Sequence, residues 1–208
     1  MAPITDYLMA SPAQEITAAR TAAPPSVSAH AEILVLGKNG YYVAVRGSNG
    51  WVCFVERSWT AGLDDPEFWN PKGRAPNCFN PPAAHTVLPQ YVARTKWAIA
   101  GATREQIAAK SKAAYASHQF TDPAPASFSF MLSKDAYLND SVRGPWHPHV
   151  MPFVSHAAIA TWAAGFDGSP VLLGPYQRAC EPNTIFIPVR RWSDGTLDLP
   201  TQAVPQHM

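Results

Sequence analysis

The clearest pattern of hydrophobic positions lies between residues 31 and 57. Three apolar runs, at 33–36, 41–46 and 51–55, are separated by the turn-forming segments 38–40 and 47–50. Each turn segment contains an Asn-Gly pair, which supplies the positive φ angles that tight hairpin turns need. The pattern therefore predicts three consecutive antiparallel strands, a β-meander, at the start of the folded region.

Helix and strand patterns continue along the rest of the chain. Ser11 before Pro12 is a good helix N-cap, and Thr103 with Gln106 forms a capping box. The predicted helices cover residues 12–22, 88–100, 103–115 and 155–164, and the predicted later strands cover 126–132, 146–154, 171–173 and 184–189. This irregular order of strands and helices predicts an α+β fold, with packed helices against an antiparallel β-sheet.

The same patterns suggest a division of the chain into three parts. We expect an N-terminal helical arm at 1–30, a single α+β domain at 31–200 and a flexible tail at 201–208. Within the domain, residues 58–82 are rich in proline and carry Trp59, Phe68 and Trp69. Large aromatic side chains must pack against something, so this segment predicts a long ordered loop rather than a linker.

Composition excludes several classes of protein. The 208 residues are 47% hydrophobic and 11% aromatic, which is incompatible with a disordered chain. Sixteen basic and fifteen acidic residues leave a net charge of +1, so the sequence gives no support to a nucleic-acid partner. No apolar run approaches the roughly 18 residues that span a bilayer. We expect a small-molecule ligand or substrate of unknown identity as the partner, and the sequence leaves the oligomeric state open.

The cysteines and the N-terminus bear on the compartment. Three cysteines without a Cys-x-x-Cys pair indicate neither a zinc ribbon nor a thioredoxin-like site. Cys53 and Cys78 either form a disulfide bond, which would require an oxidising compartment, or remain thiols. The first residues are not a signal peptide, so the protein is either cytoplasmic or periplasmic or secreted with its leader absent from this sequence. The low charge and the 21 prolines favour the second alternative.

One short segment has the spacing of a metal site. In an extended chain successive side chains alternate between faces, so His147, His149 and Met151 are expected on one side. Two imidazoles at this spacing can bind one transition-metal ion, and the methionine sulfur as third ligand would favour copper. A different third ligand would favour zinc or iron, and four other residues are candidates: His156, His85, Glu56 and Asp140.

Two other interpretations compete with the metal site. The His-Pro-His segment can also be a rigid turn whose imidazoles bond to backbone carbonyls, with Met151 packed in the core. The aromatic loop at 58–82 can line a pocket, because flat rings stack on sugars and aromatic ligands. The candidate ligand-binding residues are then Trp59, Phe68, Trp69 and Trp146.

Three segments of the chain resemble those of a group of uncharacterised bacterial proteins. They are Gly-Ser-Asn-Gly-Trp-Val-Cys at 47–53, Phe-Met-Leu-Ser at 130–133 and Trp-His-Pro-His-Val-Met at 146–151. Many proteins of this group carry export signals, so the resemblance implies a bacterial origin and export. It implies no activity.

Two functional hypotheses follow, and the sequence leaves open whether the protein is an enzyme. The first is an exported protein with copper or zinc at His147 and His149, acting as a metal-dependent hydrolase or oxidoreductase. The second is a non-catalytic ligand-binding module that uses the loop at 58–82, with structural histidines.

Overall fold

A computed structural model describes residues 1–140, 145–174 and 183–199. The described helices are α1 Ile4–Tyr7, α2 Pro12–Arg20, α3 Pro25–Ser28, α4 Pro81–Thr86, α5 Leu88–Ile99 and α6 Arg104–Ala116, with 3₁₀ helices at Ser58–Thr60 and His156–Trp162. The strands are β1 Glu32–Gly37, β2 Gly40–Val45, β3 Val52–Arg57, β4 Arg74–Phe79, β5 Phe128–Met131, β6 His149–Val154, β7 Leu172–Leu173 and β8 Asn183–Pro188. The predicted tail at 201–208 lies outside the described residues. No described helix is long and apolar enough to cross a membrane.

The strands form one mixed sheet in the order β2-β1-β3-β4-β5-β6-β8-β7. All its pairs are antiparallel except β1 with β3, which run parallel. The predicted α+β class is compatible with this arrangement. The predicted antiparallel three-stranded meander is wrong, because β3 does not pair with β2. It lies on the other side of β1.

Gly47 explains how the chain reaches that position. The link between β2 and β3 crosses the start of β1, where Ser48 N donates to His30 O and Glu32 N donates to Trp51 O, both at 2.8 Å. A Cβ atom at Gly47 would lie 2.2 Å from Glu32 N. Only glycine, which has no side chain, therefore fits at this crossing. A glycine in a turn-rich segment is equally typical of an ordinary hairpin, so the sequence does not reveal the crossing.

The segment predicted as a loop at 58–82 contains β4, so the loop prediction is wrong for these six residues. Pro76 and Asn77 interrupt its apolar pattern, and proline is rare in central strands. On the β5 side Pro76 has no strand partner, because β5 pairs only with the last two residues of β4, so its missing N–H interrupts no pairing there. The pairing of β4 with β3 places Cys78 opposite Cys53, and the two form a disulfide bond.

Helices cover both faces of the sheet. Successive side chains of β3 point to opposite faces of the sheet, so Cys53 and Val55 face α2, while Phe54 packs against α4 and α5. The capping predictions are confirmed, since Ser11 Oγ accepts from Gln14 N and both hydrogen bonds of the capping box at Thr103 are present.

The crossing at Gly47 can be tested by adding a single methyl group. Gly47→Ala should lower the free energy of unfolding by roughly 3 kcal/mol or more, because the new Cβ overlaps backbone atoms that cannot rotate away. Gly37→Ala is the control, since its nearest contact would be 3.4 Å away, and it should cost much less. Urea denaturation measures both. Equal losses in the two variants would contradict this account of the crossing.

Candidate functional site

A cavity of about 750 Å³ lies on the face of the sheet that carries Tyr91 of α5. One side is formed by the end of β3 and the residues after it, at 56–58 and 60–62, together with Asp65 and Glu67. The opposite side is formed by β6, β7 and β8. The large apolar and aromatic side chains in its lining are Tyr91, Met131, Tyr137, Leu138, Trp146, Met151, Leu172, Leu173 and Phe186.

Glu56 is the buried acid of this cavity. It shares a face of β3 with Phe54, and only 9% of it is exposed. Asn77 Nδ2 donates to its Oε1 at 2.5 Å, and Thr60 Oγ1 lies 3.1 Å from its Oε2. Burial raises the pKa of Glu56 to about 7, because these neutral donors and the more distant Arg94 only partly offset the loss of hydration. The carboxyl group can therefore exchange a proton near neutral pH.

His149 is the buried base on the other side. Its Nδ1 lies 2.7 Å from the carbonyl oxygen of His147, and a carbonyl only accepts, so Nδ1 carries the hydrogen. Nε2 then has a lone pair, and it makes no hydrogen bond with any described residue. Burial lowers the pKa of His149 to about 4, because the charged imidazolium would lose its hydration. The site thus presents a neutral imidazole with an unused acceptor.

The sheet separates these two groups by two strands. Glu56 pairs with Ala75 of β4, and His149 pairs with Met131 of β5. With neighbouring strands about 4.8 Å apart, the backbones of β3 and β6 lie roughly 14 Å from each other. Ala75 and Met131 line the cavity between them. A bound molecule, rather than a direct hydrogen bond, would link the acid and the base.

The residues of the predicted metal site do not share one environment. β6 begins only at His149, so the alternation of side chains does not extend back to His147. The His147 side chain is 56% exposed, and its Nδ1 lies 2.6 Å from Asp198 Oδ2. His149 and Met151 remain together, since both are buried and line the cavity.

The other candidate ligands are dispersed. His85 and His156 are exposed in α4 and in the second 3₁₀ helix, and Asp140 bonds to Lys72 and Tyr137. Among the described residues no group of three or more His, Cys, Asp or Glu side chains could hold a metal ion together. The metal hypothesis therefore stays a prediction.

The aromatic residues predicted to bind a ligand also lie in different parts of the structure. Trp59 and Phe68 are fully buried in a hydrophobic cluster with Tyr7 and Leu36, and Trp59 Nε1 donates to Thr95 Oγ1 at 3.0 Å. Trp69 is half-buried beside Phe68. Trp146 lines the cavity, with its ring centroid 4.7 Å from that of His149.

Three features of the cavity were not predicted as ligand-binding groups. Glu56 was considered only as a metal ligand, and Tyr91 lies in the helix predicted at 88–100 without a predicted role in binding. Phe186 was not singled out, although its ring centroid lies 5.2 Å from that of His149. A sequence signal did exist for Glu56, because a charged residue directly continues an apolar strand on the face of Phe54.

Glu56 and His149 should have opposite effects on stability as the pH changes. The raised pKa of Glu56 stabilises the fold below about pH 4.5, and this contribution is lost as pH rises to about 7. The lowered pKa of His149 makes a contribution above about pH 6.5 that is lost as pH falls toward 4. Between pH 4.5 and 6.5 the two effects offset each other.

Single variants should expose each effect. Glu56→Gln leaves the His149 effect, so its free energy of unfolding should fall as pH decreases from 6.5 to 4.5. His149→Gln leaves the Glu56 effect and should show the opposite slope. Each group contributes about 1.4 kcal/mol per pH unit at most. Urea denaturation with EDTA present measures the free energy of unfolding of both variants as a function of pH. Subtracting one curve from the other removes the pH dependence that all other titrating groups contribute to both. Parallel curves would contradict the assignment.

Comparison of the chain with protein-family models, with curated proteins and with solved structures finds no match. The resemblance to exported bacterial proteins therefore stays a prediction from the sequence segments. The disulfide bond between Cys53 and Cys78 is consistent with an oxidising compartment.

Proposed function

We propose that the protein binds a small organic molecule in the cavity between Glu56 and His149. The observation that carries this proposal is the cavity itself, which is lined largely by apolar side chains and bordered by the buried His149, whose Nε2 has no hydrogen-bond partner among the described residues. A buried acceptor without a partner costs about 1–3 kcal/mol. A ligand that moved the side chains covering Nε2 and donated a hydrogen bond to it would recover this cost.

The size and lining of the cavity support the same conclusion. Sites for small molecules typically enclose about 300–1,000 Å³, with apolar and aromatic walls and a few polar groups that orient the ligand. The cavity of about 750 Å³ falls in this range. The proposed binding surface differs from the aromatic loop that the sequence predicted. The segment at 58–82 contributes small and polar residues but none of its aromatic side chains, and the rings in the lining come from Tyr91, Tyr137, Trp146 and Phe186.

Binding of a neutral fluorescent probe tests the proposal. N-phenyl-1-naphthylamine, which brightens in apolar surroundings, should bind saturably to the wild-type protein. Met131→Trp should weaken this binding at least 10-fold, because the larger side chain fills the middle of the cavity. Val43→Trp is the matched control, since Val43 is exposed on β2 at the other end of the sheet, and it should bind like wild type.

One outcome would contradict the proposal directly. A second, apolar cavity of about 640 Å³ is lined by Phe128, Phe130 and Pro152. If Met131→Trp bound the probe as tightly as wild type, the probe would occupy that cavity or another surface. The site between Glu56 and His149 would then have no role in binding.

A metal site centred on His149 is a second candidate, for a specific reason. Metal-binding histidines usually donate one ring N–H to a carbonyl or carboxylate and coordinate through the other nitrogen. His149 has this arrangement, and the Met151 side chain lines the same cavity. An imidazole and a thioether favour copper, and zinc is the alternative. A bound copper ion would supply redox chemistry, and a bound zinc ion would activate water for hydrolysis.

Elemental analysis of the purified protein tests whether a metal ion binds at His149. The protein should be incubated with copper or zinc, desalted and measured beside His149→Ala and His147→Ala. A site centred on His149 should give close to one metal ion per chain in wild type, a loss in His149→Ala and retention in His147→Ala. Metal lost only in His147→Ala would instead place the ion at the exposed pair of His147 and Asp198. No bound metal in wild type would exclude both sites.

A further inference from the structure

The polar groups on the β3 side of the cavity are mainly hydrogen-bond acceptors. Glu56, Asp65 and Glu67 provide three carboxylates in one lining. Glu56 is buried, whereas the other two are half-buried and closer to solvent. The buried hydroxyl of Ser58 also lines the cavity, and it makes no hydrogen bond with a described residue.

The two basic residues in the lining direct their donors elsewhere. Arg57 forms an ion pair with Glu15 at 2.9 Å, and its other nitrogens donate to backbone carbonyls. Arg74 donates to three backbone carbonyls, those of Leu8, Pro71 and Lys72. The acids are hydrogen-bonded as well, Glu56 to Asn77, Asp65 to the backbone N–H of Glu67 and Glu67 to Asn70, but a carboxyl group can accept further hydrogen bonds. A ligand carboxylate would therefore meet three acids and two guanidinium groups that are already engaged. An anion is the ligand that this lining fits least.

The apolar side of the cavity also suits a cation with an apolar body. Aromatic rings attract ammonium groups through their negatively polarised faces, and methionine side chains adapt to irregular apolar shapes. Tyr91, Trp146 and Phe186 supply the rings, and Met131 and Met151 supply the thioethers. The buried His149 also lies on this side, and its Nε2 has no hydrogen-bond partner within the part of the chain that the structure describes.

We infer that the ligand of this cavity is an organic amine in its protonated form, with its ammonium group toward Glu56, Asp65 and Glu67 and its apolar body toward β6 and β8. This inference rests on the proposed small-molecule binding and specifies its ligand class. Three observations carry it together: a cavity of about 750 Å³, the three carboxyl groups on its β3 side, and the buried His149 on the other side, whose Nε2 has no partner among the described residues.

Three probes that differ only in the terminal group test the inference. Isothermal titration calorimetry at pH 7.5 should compare 4-phenylbutylamine, 4-phenylbutanol and 4-phenylbutyrate. The amine is protonated at this pH, like a lysine side chain. It should bind at least 10-fold more tightly than the alcohol, and the carboxylate should bind most weakly. Equal binding of amine and alcohol, or tighter binding of the carboxylate, would overturn the inference.

Variants locate the ammonium group. Glu56→Gln should remove most of the advantage of the amine over the alcohol while leaving binding of the alcohol within about 3-fold. Glu105→Gln, on the exposed first turn of α6, is the matched control and should behave like wild type. An amine advantage that persists in Glu56→Gln would overturn the placement of the ammonium beside Glu56.

The failure of this inference is distinguishable from the failure of the proposed function. If the neutral fluorescent probe binds saturably and Met131→Trp weakens it, small-molecule binding stands. If the amine then binds no more tightly than the alcohol, only the inference that the ligand is an organic amine is overturned. If neither the fluorescent probe nor any of the three phenylbutyl compounds binds, both proposals are overturned.

Discussion

The buried ion pair between Glu15 and Arg57 is the interaction on which the rest of the structure depends. The two side chains are 2.9 Å apart and almost completely inaccessible to solvent. Glu15 also accepts a hydrogen bond from Leu36 N, and Arg57 donates to Tyr7 O. The pair thus joins α2 and the end of α1 to two strands of the sheet. Losing one partner of a buried pair generally costs about 3–5 kcal/mol, because the other charge is left without compensation.

This pair also determines the chemistry on the other face of the sheet. Glu56 and Arg57 are neighbours in β3, and successive side chains of a strand point to opposite faces. Arg57 is therefore committed to Glu15 on the α2 face, while Glu56 enters the cavity with the neutral partners Asn77 and Thr60. Without a close, directly bonded cation, burial dominates and the pKa of Glu56 rises to about 7. A stabilising contact on one face thus leaves a proton-exchanging acid on the other.

The sequence predicted the parts of this structure that depend on nearby residues. Helix caps at Ser11 and Thr103 follow from a few adjacent side chains, and they were predicted correctly. The parallel pairing of β1 with β3 depends on a backbone crossing at Gly47, and turn chemistry alone does not distinguish it from a hairpin. The candidate site was harder still, because its acid and its base come from β3 and β6, which are far apart in the sequence. Assigning His147 and His149 to one face required a strand that extended two residues further than β6 does.

The cavity is costly for the protein without a ligand. A buried carboxyl group, an imidazole acceptor without a described partner and a space of about 750 Å³ all reduce the stability of the fold. A protein that only needed stability would fill such a space with apolar side chains. Retaining polar groups there makes sense if a bound molecule completes their hydrogen bonds, because a ligand that binds only the folded state stabilises it increasingly as the ligand concentration rises above Kd. The same groups that weaken the empty fold would then select the ligand, since a molecule without hydrogen-bond donors would leave them uncompensated.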